Sequence, residues 1–174
     1  MSDVNTAILD AAEARMRLGG FNGFSFRDIA ADVGVKSSSV HYHFPTKETL
    51  AAAVIHRYTD KAIECINQQL KAGLTPVAAW TKTFRGTLHT LHMCPALAVG
   101  AGCQDLPPEV ASEIRRFYST CLTEMGNVGL SPTDAVRLLA TISGALLIAN
   151  AIGDLDVFDQ ATREMVPEPE LTAA

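Results

Sequence analysis

Ser25-Phe26-Arg27-Asp28-Ile29-Ala30-Ala31-Asp32-Val33-Gly34-Val35-Lys36-Ser37-Ser38-Ser39-Val40-His41-Tyr42-His43-Phe44-Pro45-Thr46-Lys47 is the stretch whose reading decides the fold. Ser25 and Asp28 have the spacing of a capping box, in which the hydroxyl takes an orphan amide of the first turn and the acid reaches back. Ile29, Ala30 and Val33 then fall on one helical face. Gly34 ends that helix, because a left-handed C-terminal residue costs glycine almost nothing. Val35 packs inward from the turn, and one of Ser37, Ser38 and Ser39 caps a second helix. Val40 and Phe44, four apart, give that helix its inner face, and Pro45 stops it by pushing the residue before it out of helical geometry. Two short helices joined by a tight turn containing glycine make a helix-turn-helix. Its second member, at about 37–44, is the expected recognition helix.

The outer side of that helix and its flanks carry Lys36, Ser37, Ser38, His41, Tyr42, His43 and Lys47. All are polar or aromatic, all can bond phosphates or base edges, and none is negative. A solvated face of a small helix has the same composition, so the pattern alone is only moderately specific. The run Phe24 to Ala30, then Val33-Gly34-Val35, then Val40 to Leu50 resembles the N-terminal domain of the TetR family of repressors. The likeness extends over roughly residues 5–58, and Tyr42-His43-Phe44-Pro45-Thr46-Lys47 is its most specific part. The family usually carries a tyrosine where this chain has His41; Tyr42 follows in the usual aromatic place.

Working outward, the 174 residues and 18.6 kDa suffice for one or two compact units. The net charge of −5 is unusual for a DNA binder, and it is unevenly spread. Residues 1–59 hold six basic and six acidic side chains, and residues 60–174 hold eight and thirteen. A balanced first unit can still present a locally basic face, because the field follows the distribution. No secretory signal is visible at the N-terminus. The most apolar run, 138–149, is shorter than the roughly 20 residues a bilayer-spanning helix needs. The expectation is a cytoplasmic protein with no membrane partner. Cys65, Cys94, Cys103 and Cys121 include no C-x-x-C pair and read as reduced, buried small hydrophobes.

The first helix is expected from Asn5 or Thr6 to about Leu18, with Ala7, Ile8, Ala11, Ala12, Ala14 and Leu18 as its apolar stripe and Gly19-Gly20 as its end. Phe21, Phe24 and Phe26 fill the space between the first three helices. Thr46 caps a fourth, running to about Lys71, which makes it roughly 37 Å long at about 1.5 Å per residue. A helix of that length starts in the DNA-binding unit and ends in the next. Thr75-Pro76 opens a helix to about Met93. There His89 and His92 share a face near Cys94, too few ligands for a metal site. A short helix follows Pro95, and another runs from Pro107-Pro108 to about Met125. Ser131-Pro132-Thr133-Asp134 starts a helix to about Gly153 that is apolar on nearly every side. Such a helix must be buried, which in a chain this size points to a partner subunit. A last helix is expected at 155–166, then a disordered tail from 167.

The reading is therefore all-α: a three-helix helix-turn-helix DNA-binding domain at 1–58 and a helical effector-binding and dimerisation domain at 59–174. Arg27, Lys36 and Lys47 anchor phosphates; Ser37, Ser38, His41 and His43 read base edges or phosphates; Tyr42 meets a thymine methyl or a phosphate. A homodimer through about 132–166 brings two recognition helices to successive major grooves of operator DNA, about 34 Å apart. The resemblance implies a small-molecule effector, unidentified, held between the helices starting at 46, 76 and 107. Trp80, Phe84, Leu88, His92, Met93, Phe117, Tyr118 and Cys121 are its candidate lining, and each also fits plain core packing. The effector releases the DNA by favouring another spacing of the heads. Cys94, Cys103 and Cys121 raise the variant of a thiol sensor. The rival class is an all-helical small-molecule-binding protein or enzyme without a DNA role. The sequence shows no nucleophile motif, phosphate-cradling loop or metal box, so no catalytic residue, cofactor or metal is expected.

Overall fold

The computed structural model describes residues 3–90, 93–102 and 105–165. Among them every regular element is a helix: α1 (Asp3–Gly19), α2 (Phe26–Val33), α3 (Ser37–His43), α4 (Lys47–Lys71), α5 (Pro76–Gly86), α6 (Pro95–Gly100), α7 (Pro108–Asn127), α8 (Pro132–Ile152) and α9 (Asp156–Thr162). His92, Cys103 and the tail from 167 lie outside the described residues.

Local chemistry sets most of these boundaries. At the head of α2 the Ser25 hydroxyl accepts from the Asp28 amide at 3.3 Å while the Asp28 carboxylate accepts from the Ser25 amide at 2.9 Å. Thr46, Thr75 and Ser131 cap α4, α5 and α8 through the hydroxyl alone, accepting from the amides of Thr49, Ala78 and Asp134. Such a cap contributes about 1 kcal/mol. Gly34 closes α2 in the left-handed conformation, at φ 75°.

Four expectations are corrected. The serines do not cap α3: Lys36 holds the cap position without a side-chain bond, and all three serines lie inside the helix. The extended backbone at Lys36 starts the helix before any serine can serve. α5 stops at Gly86 rather than Met93, passing into a 3-10 turn over Thr87–Thr90. Glycine is a poor helix former, and the Thr87 hydroxyl donates to the Phe84 carbonyl at 2.7 Å. The α1 stripe is Ile8, Leu9, Ala12 and Met16, with Ala14 and Leu18 exposed. Finally, α8 is long and apolar enough to cross a membrane by length and composition, because small residues around 138–149 extend the run. It is apolar on nearly every side, as expected, but within the single chain only part of that surface is buried. One side is buried through Ala135, Leu138, Leu139, Ile142, Ala145, Leu146 and Ala149, and the other is open.

The buried side chains form one connected cluster from α1 to α9. At the N-terminal end Ile8, Met16, Ile29, Val40 and Leu50 are fully enclosed. Each contributes about 1.5–3 kcal/mol by leaving water, and together they fix α3 against α1, α2 and the start of α4. α4 continues into the second half of the chain, where it packs most extensively on α7. Charged side chains lace that seam. His56 Nδ1 is 3.1 Å from Glu113, and Arg116 donates to Asp60 at 2.6 Å.

Candidate nucleic-acid interface

α3 is short, and its geometry follows from what lies beneath it. Val40 and Phe44 are buried, so the opposite side faces out. Ser37 and His41, and Ser38 and Tyr42, are four apart and pair along that side. Lys36, Ser37, Ser38 and His41 are exposed, Tyr42 is 84% exposed, and His43 is half-buried. Arg27 is exposed in the first turn of α2. Lys47 behaves differently. It is half-buried at the first position of α4, with Nζ 4.7 Å from the centroid of the Phe21 ring and 4.8 Å from that of Phe24. Burial draws its pKa below the ordinary lysine range.

Rings also meet on α3. His41 packs against Phe26, with centroids 4.6 Å apart and planes at 70°. Tyr42 and His43 meet at 5.3 Å and 80°. The two acids of α2 are engaged locally. Hydrogen bonds from Ser25 hold the Asp28 carboxyl below the usual range, and the Arg15 guanidinium, donating at 2.9 Å, does the same for Asp32. Asp32 is thus paired with a cation, whereas Asp28 stays an ionised carboxylate held in the cap by neutral donors. Sequence reading missed Arg15 and the three aromatic seats. Arg15 lies 17 positions from Asp32, and no local spacing signals a pair so remote.

In the second half of the chain Trp80, Phe84, Leu88, Met93, Phe117 and Cys121 are buried and Tyr118 is half-buried. The aromatics form a contiguous row, with Trp80 stacked 6.1 Å from Phe84, Phe84 at 6.3 Å from Phe117, and Phe117 at 6.0 Å from Tyr58. Trp80 Nε1 and Thr81 Oγ1 are buried without a hydrogen-bond partner, and each such group costs about 1–3 kcal/mol. Burial, then the neighbouring Cys94 thiol, pushes the Tyr58 phenol well up. Burial likewise raises Cys94 and Cys121. Both are therefore neutral thiols near pH 7, the unreactive form, which argues against either as a ready electrophile sensor. Among the described residues no group of three His, Cys, Asp or Glu side chains is arranged to hold a metal ion.

The open side of α8 carries Val136, Leu147, Ile148 and Ile152 at 54, 54, 49 and 65% exposure, with Ala140 and Ala151 exposed between them. A cavity of about 290 Å3 lies beside it, lined by Tyr118, Leu122, Val136, Leu139, Ala140 and Ser143.

Residues 8–54 match the family described as bacterial regulatory proteins, tetR family. The chain is 26% identical to a TetR transcriptional regulator from Legionella pneumophila, over 96% of this chain and 99% of that one, with a TM-score of 0.84. It is 26% identical to a transcriptional regulator of the TetR family from Agrobacterium tumefaciens, over 93% and 95%, with a TM-score of 0.85. Escherichia coli NemR in its reduced form shares the fold at 16% identity, over 98% and 100%, with a TM-score of 0.81. No curated protein matches the chain. A capped helix, a left-handed glycine turn and an outward-facing second helix on an all-α frame define a helix-turn-helix transcriptional regulator. Residues 8–54 carry the helix-turn-helix domain of the tetR family of bacterial regulatory proteins, and the chain as a whole is similar in fold and length to TetR-family transcriptional regulators.

Proposed function

We propose that this chain is a cytoplasmic, ligand-responsive repressor that binds a palindromic operator as a homodimer and is released by a small molecule. The observation that carries the reading is α3 itself. Its outward side chains include no acid, while Val40 and Phe44 anchor its inner side in a rigid core. In this reading residues 1–58 are the DNA-binding domain and residues 59–174 the effector and dimerisation domain, with α4 crossing the boundary. Arg27, Lys36 and Lys47 hold phosphates, and Ser37, Ser38, His41, Tyr42 and His43 meet phosphates or base edges.

The dimer forms about α8 and α9. The exposed stripe of Val136, Leu147, Ile148 and Ile152 supports this, because contiguous exposed apolar surface marks an interaction site and a twofold pairing of identical stripes is self-complementary. The effector sits among α4, α5 and α7, near Trp80, Phe84, Leu88, Met93, Phe117, Tyr118 and Cys121. The unpartnered Trp80 Nε1 and Thr81 Oγ1 support a guest carrying polar atoms. It acts through its differential affinity for two spacings of the heads.

The test is selection from a random DNA pool by the full-length protein, at two salt concentrations. The expected result is an enriched near-palindrome with half-sites about one helical turn apart. Weak binding that enriches no sequence and vanishes with salt overturns the reading in favour of a non-specific binder or a helical protein without a DNA role.

A further inference from the structure

We propose that Phe26 is a positioning residue for base readout. Its ring biases the His41 imidazole toward one plane, and so sets the base preference at the operator position that His41 meets. The inference rests on the reading that α3 enters a DNA groove.

His41 is exposed on α3, and an exposed histidine has a soft ring torsion, because rotation about the last bond is broad and roughly two-fold. A ring free to turn presents its two nitrogens in many directions. Which nitrogen donates and which accepts decides which base edge it can satisfy. Here the imidazole packs edge-on against a second ring, which favours one orientation about two- to tenfold, or about 0.5–1.5 kcal/mol. The Phe26 ring stands 4.6 Å away with its plane at 70° to the imidazole, an edge-on arrangement that is lost if either ring rotates.

Phe26 is itself firmly placed. It is the first residue of α2, directly after Ser25. Both arms of the capping box close there, and the Ile29 amide donates to the Ser25 carbonyl at 3.1 Å. The Phe26 side chain is half-buried and packs against the core cluster. The support for His41 thus comes from the first helix of the motif, across the turn, rather than from α3. Tyr42 contrasts with it: its ring contact is with His43, its neighbour in the same helix. Of the two exposed rings on α3, His41 is the one braced from outside the helix.

The experiment compares sequences selected from a random pool by the full-length wild type and by His41→Ala, Phe26→Leu and Phe26→Tyr. His41→Ala should lose its base preference at one position in each half-site. Phe26→Leu should lose it at that same position, with affinity for the wild-type operator about two- to tenfold weaker, the range of a lost aromatic pair. Its helix content and its salt dependence on non-specific DNA should stay as in wild type. Phe26→Tyr, which keeps the ring, should keep the preference. A purely structural role for Phe26 predicts instead an even loss across the whole site, and that result overturns the proposal. So does a Phe26→Leu protein that selects the wild-type motif unchanged. If Phe26→Leu does not fold, Phe26→Met carries the same comparison, since it keeps apolar bulk without a ring. A wild type that selects no motif at all overturns the regulator reading, and this one with it; a wild-type motif preserved in Phe26→Leu overturns this one alone.

Discussion

The Arg17 guanidinium lies over the ring of Tyr58, 5.3 Å from its centroid, and donates to the Met93 carbonyl at 3.2 Å. One side chain of α1 thereby touches the middle of α4 and the segment that leads into α6. Glu13 anchors it at 2.8 Å and also takes Arg57 of α4 at 2.9 Å. Replacing Arg17 with alanine removes a largely desolvated cation–π contact and a charged hydrogen bond, together about 1–3 kcal/mol. At roughly 2–4 °C per kcal/mol for a chain of this size, the thermal midpoint should fall by about 2–12 °C. Arg17→Lys should recover part of the loss, as lysine keeps the charge without the planar fork. An unchanged midpoint in Arg17→Ala would show that the contact carries no stability.

Gly20 marks the same seam. Its backbone sits at φ 62° and ψ −155°, a region essentially restricted to glycine, and a β-carbon there would stand 2.9 Å from the Ala98 carbonyl of α6. Gly34 also has positive φ, at 75°, but a β-carbon there meets open space. Gly20→Ala should therefore destabilise more than Gly34→Ala, for which about 1–2 kcal/mol of backbone strain is the whole cost. Denaturant unfolding of the two variants decides it. Equal losses would mean that α6 yields freely to the added methyl.

Elements with local signatures were legible in the sequence. Ser25 with Asp28, Thr46, Thr75-Pro76 and Ser131-Pro132 each placed a helix start because the capping partner lies three residues away. Gly34 and Gly153 placed helix ends for a similarly local reason, as both adopt left-handed geometry. What failed was set at longer range or by a close balance. Leu18 fits the helical period of α1, yet the neighbours of α1 select the stripe through Leu9 and Met16 instead. The His41–Phe26 contact and the seating of Lys47 on Phe21 and Phe24 join residues across turns. The apolar sequence of α8 predicted burial but could not divide its faces between core and surface. That division depends on α5, α7 and α9, which pack on one side only.

Arg85 of α5 grips Asp159 of α9, with Nη2 donating to Oδ2 at 2.6 Å. The guanidinium holds the Asp159 carboxyl below its ordinary value of 3.8. The sign is that of a depressed acid: the stabilisation is fully present above 3.8 and is lost as pH falls through the lowered folded-state value. The pair is more than a third exposed, so screening limits it to about 1 kcal/mol or less. Asp159→Asn should be slightly less stable than wild type at pH 7, and the gap should close as the solution is acidified below 3.8. Unfolding curves that differ by the same amount at pH 7 and pH 3 would assign the difference to something other than this ion pair.

The α8 stripe yields a prediction on assembly. Leu147 is 54% exposed in the single chain, so a glutamate there should leave the monomer fold intact. Across a twofold pairing it would bury one charge from each subunit without a partner, which costs several kcal/mol. Leu147→Glu should therefore sediment as a monomer with wild-type helix content, and its affinity for the selected operator should drop by more than about tenfold, or 1.4 kcal/mol. A dimer that survives the substitution would move the interface away from this face of α8.

Lys47 gives the sharpest distinction between a DNA contact and a structural clamp. Its ammonium is seated on the Phe21 and Phe24 rings at 4.7 and 4.8 Å, an arrangement worth about 0.5–1 kcal/mol at a partly exposed site. If it also neutralises a phosphate, DNA binding releases one more counterion. Lys47→Ala should then reduce the slope of log affinity against log salt by about 0.9, and weaken binding to selected and unrelated DNA alike. Lys47→Arg should restore the slope, because the charge returns. A lower thermal midpoint with an unchanged slope would leave Lys47 as a brace beneath the motif and take it out of the interface.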